Sequence, residues 1–326
     1  MQKALKKEIY YSKVMLFGEY SIIVGSMGLT IPYSNFNGEL KFINNNSYTN
    51  LDFAKYSNQQ LKELLQYIAI LKKSNQLVID FNTERLASDI HQGLYFESSI
   101  PEGYGLGSSG ALVAALYNEY AVNRIEAGAG IQDDQLFLLK RSFAQVESFY
   151  HGTSSGIDPL ICYLKNPIVL ENAHHISSVG IPRKEIQKED AIFLVNTGKP
   201  GKTGPLVKLF MDKLKNSNYK KLIIDTLTPL TNQSIKYLMD GQINLMFDNL
   251  HQLSAFQLKH FNEMIPVSIQ SDWEYGLENK LYTLKLCGSG GGGFSLGFTR
   301  QYTQTKNYFS SQGKDIIPVY QEVVAL

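Results

Sequence analysis

The chain has 326 residues, enough for about two domains with sizeable hydrophobic cores. Its 31 basic and 30 acidic side chains balance, which argues against nucleic acid or an anionic membrane as partner and favours a small-molecule protein. Cys162 and Cys287, the only cysteines, lie far apart without metal-ligand partners at the usual spacing, and no eighteen-residue apolar run occurs, so no disulfide framework, zinc site, signal peptide or membrane span is expected, and a cytoplasmic address is.

In chain order, "SKVMLFGEYSIIVG", "GLTIPY" and "GELKFIN" are rich in strand formers, and "NNNS", Asn44 to Ser47, reads as a turn. A helical run follows from Gln59 to Lys73, then two strand-like runs, "LVIDF" and "LYFESSI". Two helices are expected next, Ala111 to about Val122 and Asp133 to Tyr150; the second repeats apolar residues at Leu136, Leu139, Phe143, Val146 and Tyr150, one buried stripe. "PLICYL" and "PIVLEN" read as a hairpin around "KN". A second cycle begins near Asp190 with the strand "AIFLVNTG", several helices between Pro205 and Met264, and the strands "LYTLKLCG" and "FSLGFT" around a glycine run. The order predicts an α+β protein of two domains, 1–185 and 186–326, with the boundary between Ile181 and Asp190.

"GLGSSG", Gly105 to Gly110, falls between a strand and a helix and matches G-x-G-x-x-G. The segment after that helix opposes a dinucleotide fold, because "NRIEAGAGIQDD" leads into another helix where a second strand is required. No Gly-Lys-Ser/Thr closes the stretch, so it is not a Walker loop either. Two readings stay open: a glycine-rich turn before a capped helix, or a phosphate cradle in which bare backbone and the free N–H groups of the first helical turn face an anion. Ser108 and Ser109 could cap the helix, contact phosphate oxygens or reach a magnesium ion.

"PEGYGLGSSGALVAAL" resembles the second signature of the GHMP kinases, P-x-x-x-G-L-G-S-S-A, with Gly110 where alanine is usual. "KVMLFGEYSIIVGS" is similar to the first signature in its mevalonate kinase form, "HGTSSGIDPLICYL" to the segment H-G-x-x-S-G-x-D, and "KLCGSGGGGFSLGF" to the third signature. Four segments in family order, from residue 13 to residue 298, span nearly the whole chain. The resemblance implies a two-domain GHMP kinase fold, with an N-terminal domain like ribosomal protein S5 domain 2, a ferredoxin-like C-terminal domain and an active site in the cleft between them. It implies ATP and Mg2+ as cofactors and a small alcohol as substrate, mevalonate first and phosphomevalonate as the alternative. A member of the fold that binds nucleotide without turnover would be expected to lose Lys13, Glu147 or Asp158, and none is lost. Homodimerisation stays open.

Residue by residue, the resemblance implies that Gly105, Leu106, Gly107, Ser108, Ser109 and Gly110 wrap the ATP phosphates. Ser109 and Glu147 would ligate magnesium, Asp158 would be the base near the acceptor hydroxyl, and Lys13 would sit beside it. Glu19, Tyr20, His151 and Gly290 would serve the substrate, and the run Gly288 to Gly293 would close over the nucleotide. Tyr20 stands where the mevalonate kinase pattern has histidine, and "GEY" is reminiscent of phosphomevalonate kinases; Cys287 stands where threonine is usual. Each position has a plainer reading: Glu147 as the solvated flank of a helix, Asp158 as a turn former, Lys13 as an exposed strand start, His151 as a favourable helix end.

Overall fold

The computed structural model describes residues 5, 7–43, 50–128, 130–172, 175–182 and 186–321. The turn expected at Asn44 to Ser47 lies outside the described residues, as do positions 183–185 at the expected domain boundary. Two compact units emerge, each assembled from separated segments. The first comprises Met1–Lys13, Pro32–Pro101 and Gly107–Asn166; the second comprises Val14–Ile31, Glu102–Leu106 and Pro167–Leu326.

Strands β1 (Tyr10–Phe17) and β2 (Gly28–Phe42) contribute residues to both units. β1 stops short of the expected run, because Gly18 takes φ +119° and a 3-10 turn follows at Ser21–Val24. "GLTIPY" and "GELKFIN" merge into the single strand β2. In the first unit, helix α1 (Leu51–Lys73) begins ahead of Gln59, since the Asn50 side chain accepts from the Phe53 N–H at 3.1 Å and caps it there. Ala54, Leu61, Leu64 and Ile68 form its buried stripe. "LVIDF" makes only an isolated bridge between Phe81 and Ala121, and α2 (Thr83–His91) follows under an Asn82 cap. β3 (Leu94–Ser98) pairs antiparallel with the end of β2, Gly38 opposite Ser98 and Phe42 opposite Leu94.

Helices α3 (Ser108–Tyr120), α4 (Asp133–His151) and α5 (Ile157–Leu164) complete the first unit. The last corrects the hairpin expectation. "PLICYL" is helical, entered through a left-handed Gly156 and left through a left-handed Lys165. Pro159 to Tyr163 are all buried, and an apolar run buried on every side carries no period to separate helix from strand.

In the second unit, β4 (Ile168–Asn172) pairs antiparallel with the start of β2, Gly28 opposite Leu170, and with β5 (His175–Ser178). A four-stranded antiparallel sheet runs in the order β7-β8-β6-β9, from β6 (Ala191–Asn196), β7 (Tyr282–Leu286), β8 (Phe294–Thr299) and β9 (Ile316–Gln321). Helices α6 (Thr203–Lys213), α7 (Ser217–Leu222), α8 (Thr228–Met239), α9 (Ile243–His260), α10 (Val267–Glu278) and α11 (Tyr302–Ser311) accompany it. Trp273, Phe193 and Phe298 are fully buried, and the Trp273 indole N–H donates to Ser254 Oγ at 2.8 Å, so the largest side chain leaves no polar atom unpaired.

Candidate active site

In the first unit, β1 presents Lys13 and the first turn of α5 presents Asp158, and Lys13 Nζ lies 3.1 Å from Asp158 Oδ2. The pair is uneven: the lysine side chain is 7% exposed, the aspartate 35%. A buried ammonium is thus held against a carboxylate that solvent or a ligand can reach. The free N–H groups at the start of α5 favour the negative charge there.

Helix α3 starts beside this pair, and its glycines are explained by what they touch. Gly107 is the N-cap at φ +74°, and a Cβ on it would come within 2.9 Å of Lys13 Cγ. At Gly110 a Cβ would meet the Asp158 carbonyl carbon at 2.8 Å and Pro159 N at 2.9 Å. With no side chain at the N-cap, the first amides of α3, from Ser108 onward, have no partner within the helix. Ser109 Oγ donates not to its own helix but to Glu147 Oε1 at 3.1 Å, and lies 3.2 Å from His151 Nε2.

Glu147, on α4, is 3% exposed. Its second oxygen accepts from the Ser154 hydroxyl, which also receives the Gly156 N–H at 3.0 Å. Burial first, then the Asp158 carboxylate, raise the Glu147 pKa to about 7, against the two serine hydrogen bonds and Lys13. Burial likewise lowers the His151 pKa. Lys13, Ser109, Glu147, His151 and Asp158 are therefore gathered in one unit. Ser154 was not among the residues singled out from the sequence; its signal was the tight "GTSSG" turn next to a carboxylate that burial would leave short of donors.

Among the described residues no group of three His, Cys, Asp or Glu side chains is arranged to hold a metal ion. Ser109 and Glu147 nevertheless fit magnesium, which takes oxygen ligands, keeps several waters and needs only one or two protein groups beside substrate phosphates. Their chemistry is all-oxygen, and the buried Glu147 carboxylate, crowded by Asp158, is a charge that a divalent cation would stabilise.

In the second unit, Glu19 and Tyr20 follow the end of β1. Glu19 Oε1 is 2.5 Å from Lys285 Nζ, with both side chains sealed at 2% and 1% exposure. The Tyr20 hydroxyl donates to the Ser289 carbonyl at 2.6 Å. Leu106 is buried, and a Cβ on Gly105 would meet the Cys287 carbonyl oxygen at 2.4 Å. Gly290 is confined in the same way, with the Met264 carbonyl oxygen 2.4 Å from its missing Cβ. Lys285 was given no role from the sequence, although a lysine inside the otherwise uncharged and wholly buried "YTLKL" must find a partner.

Residues 67–166 match the family model of the GHMP kinases N terminal domain. No curated protein matches the chain in sequence. Among solved structures, the L. major mevalonate kinase in complex with R-mevalonate is 20% identical with a TM-score of 0.59, over 97% of this chain and 95% of that one. The Streptococcus pneumoniae phosphomevalonate kinase with phosphomevalonate and AMPPNP is 17% identical with a TM-score of 0.60, over 97% and 99%. The Lactococcus lactis galactokinase with galactose is 16% identical with a TM-score of 0.62, over 96% and 93%. No helix among the described residues is long and apolar enough to cross a membrane. Residues 67–166 thus carry the match to the GHMP kinases N terminal domain, and along nearly its full length the chain shares the α+β fold of these solved kinases.

Proposed function

We propose that the protein transfers the γ-phosphoryl group of ATP to the hydroxyl of mevalonate in the cytoplasm. The observation that carries this reading is the 3.1 Å pair of Lys13 and the accessible Asp158. Asp158 accepts a hydrogen bond from the acceptor hydroxyl and takes its proton, while Lys13 holds the carboxylate in place and stabilises the oxygen that becomes the nucleophile. Phosphoryl transfer asks mainly for positioning and charge stabilisation. Residues Gly105 to Gly110 serve the phosphates, through the free amides that open α3 and the Ser108 and Ser109 hydroxyls. Ser109 and Glu147 would hold magnesium, which when bound neutralises charge on the phosphate oxygens. Ser154 keeps the Glu147 carboxylate oriented. His151 belongs to the substrate side.

The motif "GEY" at Gly18 to Tyr20, reminiscent of phosphomevalonate kinases, favours one second reading, phosphomevalonate as acceptor. The test is a coupled ADP-release assay with mevalonate, phosphomevalonate, homoserine and galactose, alongside thermal shift with Mg-ATP. Turnover on mevalonate is expected. Turnover on phosphomevalonate alone would move the assignment to that acceptor. A thermal shift with no ADP release on any alcohol would leave a nucleotide-binding protein without turnover.

A further inference from the structure

Glu19 and Tyr20 are adjacent in sequence, and each reaches about 270 residues along the chain to the same hairpin loop. Glu19 takes Lys285, on β7 just before the loop, and Tyr20 takes the carbonyl of Ser289 within it. Lys285 Nζ also donates to the Leu286 carbonyl at 2.7 Å, so the contact grips backbone as well as side chain. The Tyr20 ring is wedged between Phe210 and Phe261, with centroids at 4.8 and 5.4 Å, and its backbone sits at φ 62° and ψ −45°, a positive-φ conformation costly for a tyrosine. Burial, and after it the Glu19 carboxylate, push the phenol pKa upward, so the hydroxyl remains a donor.

The loop needs such anchors. It runs from Gly288 to Gly293 with positive φ at Gly288, Gly290, Gly291, Gly292 and Gly293, a backbone that loses much freedom when ordered. Its Gly291 and Gly293 amides donate at 2.6 Å to the carbonyls of Met264 and Lys199. We infer that Glu19 and Tyr20 are positioning residues, which act on the reaction by fixing the Gly288–Gly293 loop, Tyr20 at Ser289 within it and Glu19 at Lys285 on the strand that leads into it, and not by touching the acceptor. The consequence for nucleotide binding rests on the kinase reading above; the clamp itself does not.

The experiment is Tyr20→Phe, which removes one hydroxyl and keeps the ring that Phe210 and Phe261 hold. Amide hydrogen exchange of peptides covering residues 286–294 should run about five-fold faster than in the wild type, with α10 peptides unchanged. In the same preparation the KM for ATP should rise about five-fold, more than kcat changes. Wild-type exchange in the loop would overturn the inference, and so would a rise confined to the acceptor KM with loop exchange unaltered. If the wild-type protein releases no ADP with any acceptor, the kinase reading falls, and the exchange measurement alone still decides whether Tyr20 clamps the loop.

Discussion

The molecule contains two lysine–carboxylate pairs of the same chemistry and opposite accessibility. Lys13 and Asp158 leave the carboxylate 35% exposed, whereas Lys285 and Glu19 are sealed at 1% and 2%. A reachable carboxylate beside a fixed cation can exchange a proton with a ligand; a sealed one can only hold its partner. The same contrast holds for the carboxylates' surroundings. Asp158 stands at a helix start near a second carboxylate that is itself held by serine hydroxyls, while Glu19 stands at the root of a glycine loop. Burial, more than residue type, thus separates a candidate for chemistry from a candidate for architecture.

The sharpest way to break the comparison is to remove one charge from each pair. Asp158→Asn should cut turnover by about a hundred-fold or more, the contribution of a positioned acid–base group, with a smaller loss of stability than breaking the sealed pair, because the carboxylate side of this pair is open to solvent. Steady-state kinetics with Mg-ATP and a melting curve measure both, and unchanged turnover would remove Asp158 from the reaction. Glu19→Gln should behave in the opposite sense. It strands the Lys285 ammonium in the interior, at a cost of about 3–5 kcal/mol, and denaturant unfolding should show that loss before any kinetic effect is considered. A second change, Lys285→Met on the Glu19→Gln background, should recover much of it.

Glu147 lies between these extremes, since it is sealed like Glu19 yet forms no ion pair with a lysine among the described residues. Its folded-state pKa, raised to about 7 by burial and by Asp158, exceeds the ordinary carboxylate value of 4.5. The native state therefore binds more protons than the unfolded chain between those values, and stability falls as pH rises from about 4.5 to about 7. Glu147→Gln should flatten that fall, leaving the metal-free variant more stable than the wild type at pH 8 by on the order of 3 kcal/mol. Unfolding free energies at pH 5 and pH 8 test it, and parallel pH profiles would show that Glu147 is not the group responsible.

Much of this was legible in the sequence because glycine, lysine and carboxylate positions in the four signature segments report local requirements. Lys13, Ser109, Glu147 and Asp158 could be placed by motif, and the two-cycle order of elements gave the α+β class. What escaped had no local signal. The "PLICYL" run is apolar on every side, so a helix could not be told from a strand, and α1 extends to Leu51 because of a single Asn50 cap. The partners of Glu19 and Tyr20 lie about 270 residues away, a distance over which no spacing argument reaches. The glycine runs were legible as needing bare backbone, but not for the reason found: several of these glycines are pressed against protein atoms. Gly107 and Gly110 lie against Lys13 and Asp158, Gly105 against Cys287, and Gly290 against Met264.

Gly110 gives the finest test, because the family pattern has alanine there. Helix propensity alone would favour Gly110→Ala by up to about 1 kcal/mol, less in a first turn where the helix is only beginning. Against this, the new Cβ would fall 2.8 Å from the Asp158 carbonyl carbon, 2.9 Å from Pro159 N and 3.0 Å from Asp158 Cβ. The first two are backbone atoms, and the start of α5 cannot swing aside as a flexible side chain would. Overpacking of this kind costs about 1–3 kcal/mol, so the clash outweighs the propensity gain and a net loss of about 1 kcal/mol is expected. The more telling consequence is kinetic, because the atoms displaced carry the Asp158 carboxylate, and a shift of a few tenths of an ångström there changes its distance to Lys13. A Gly110→Ala variant that unfolds at the wild-type midpoint and keeps wild-type kcat would mean that α3 and α5 relax apart freely, and that the close approach of the two helices does not set the position of the acid.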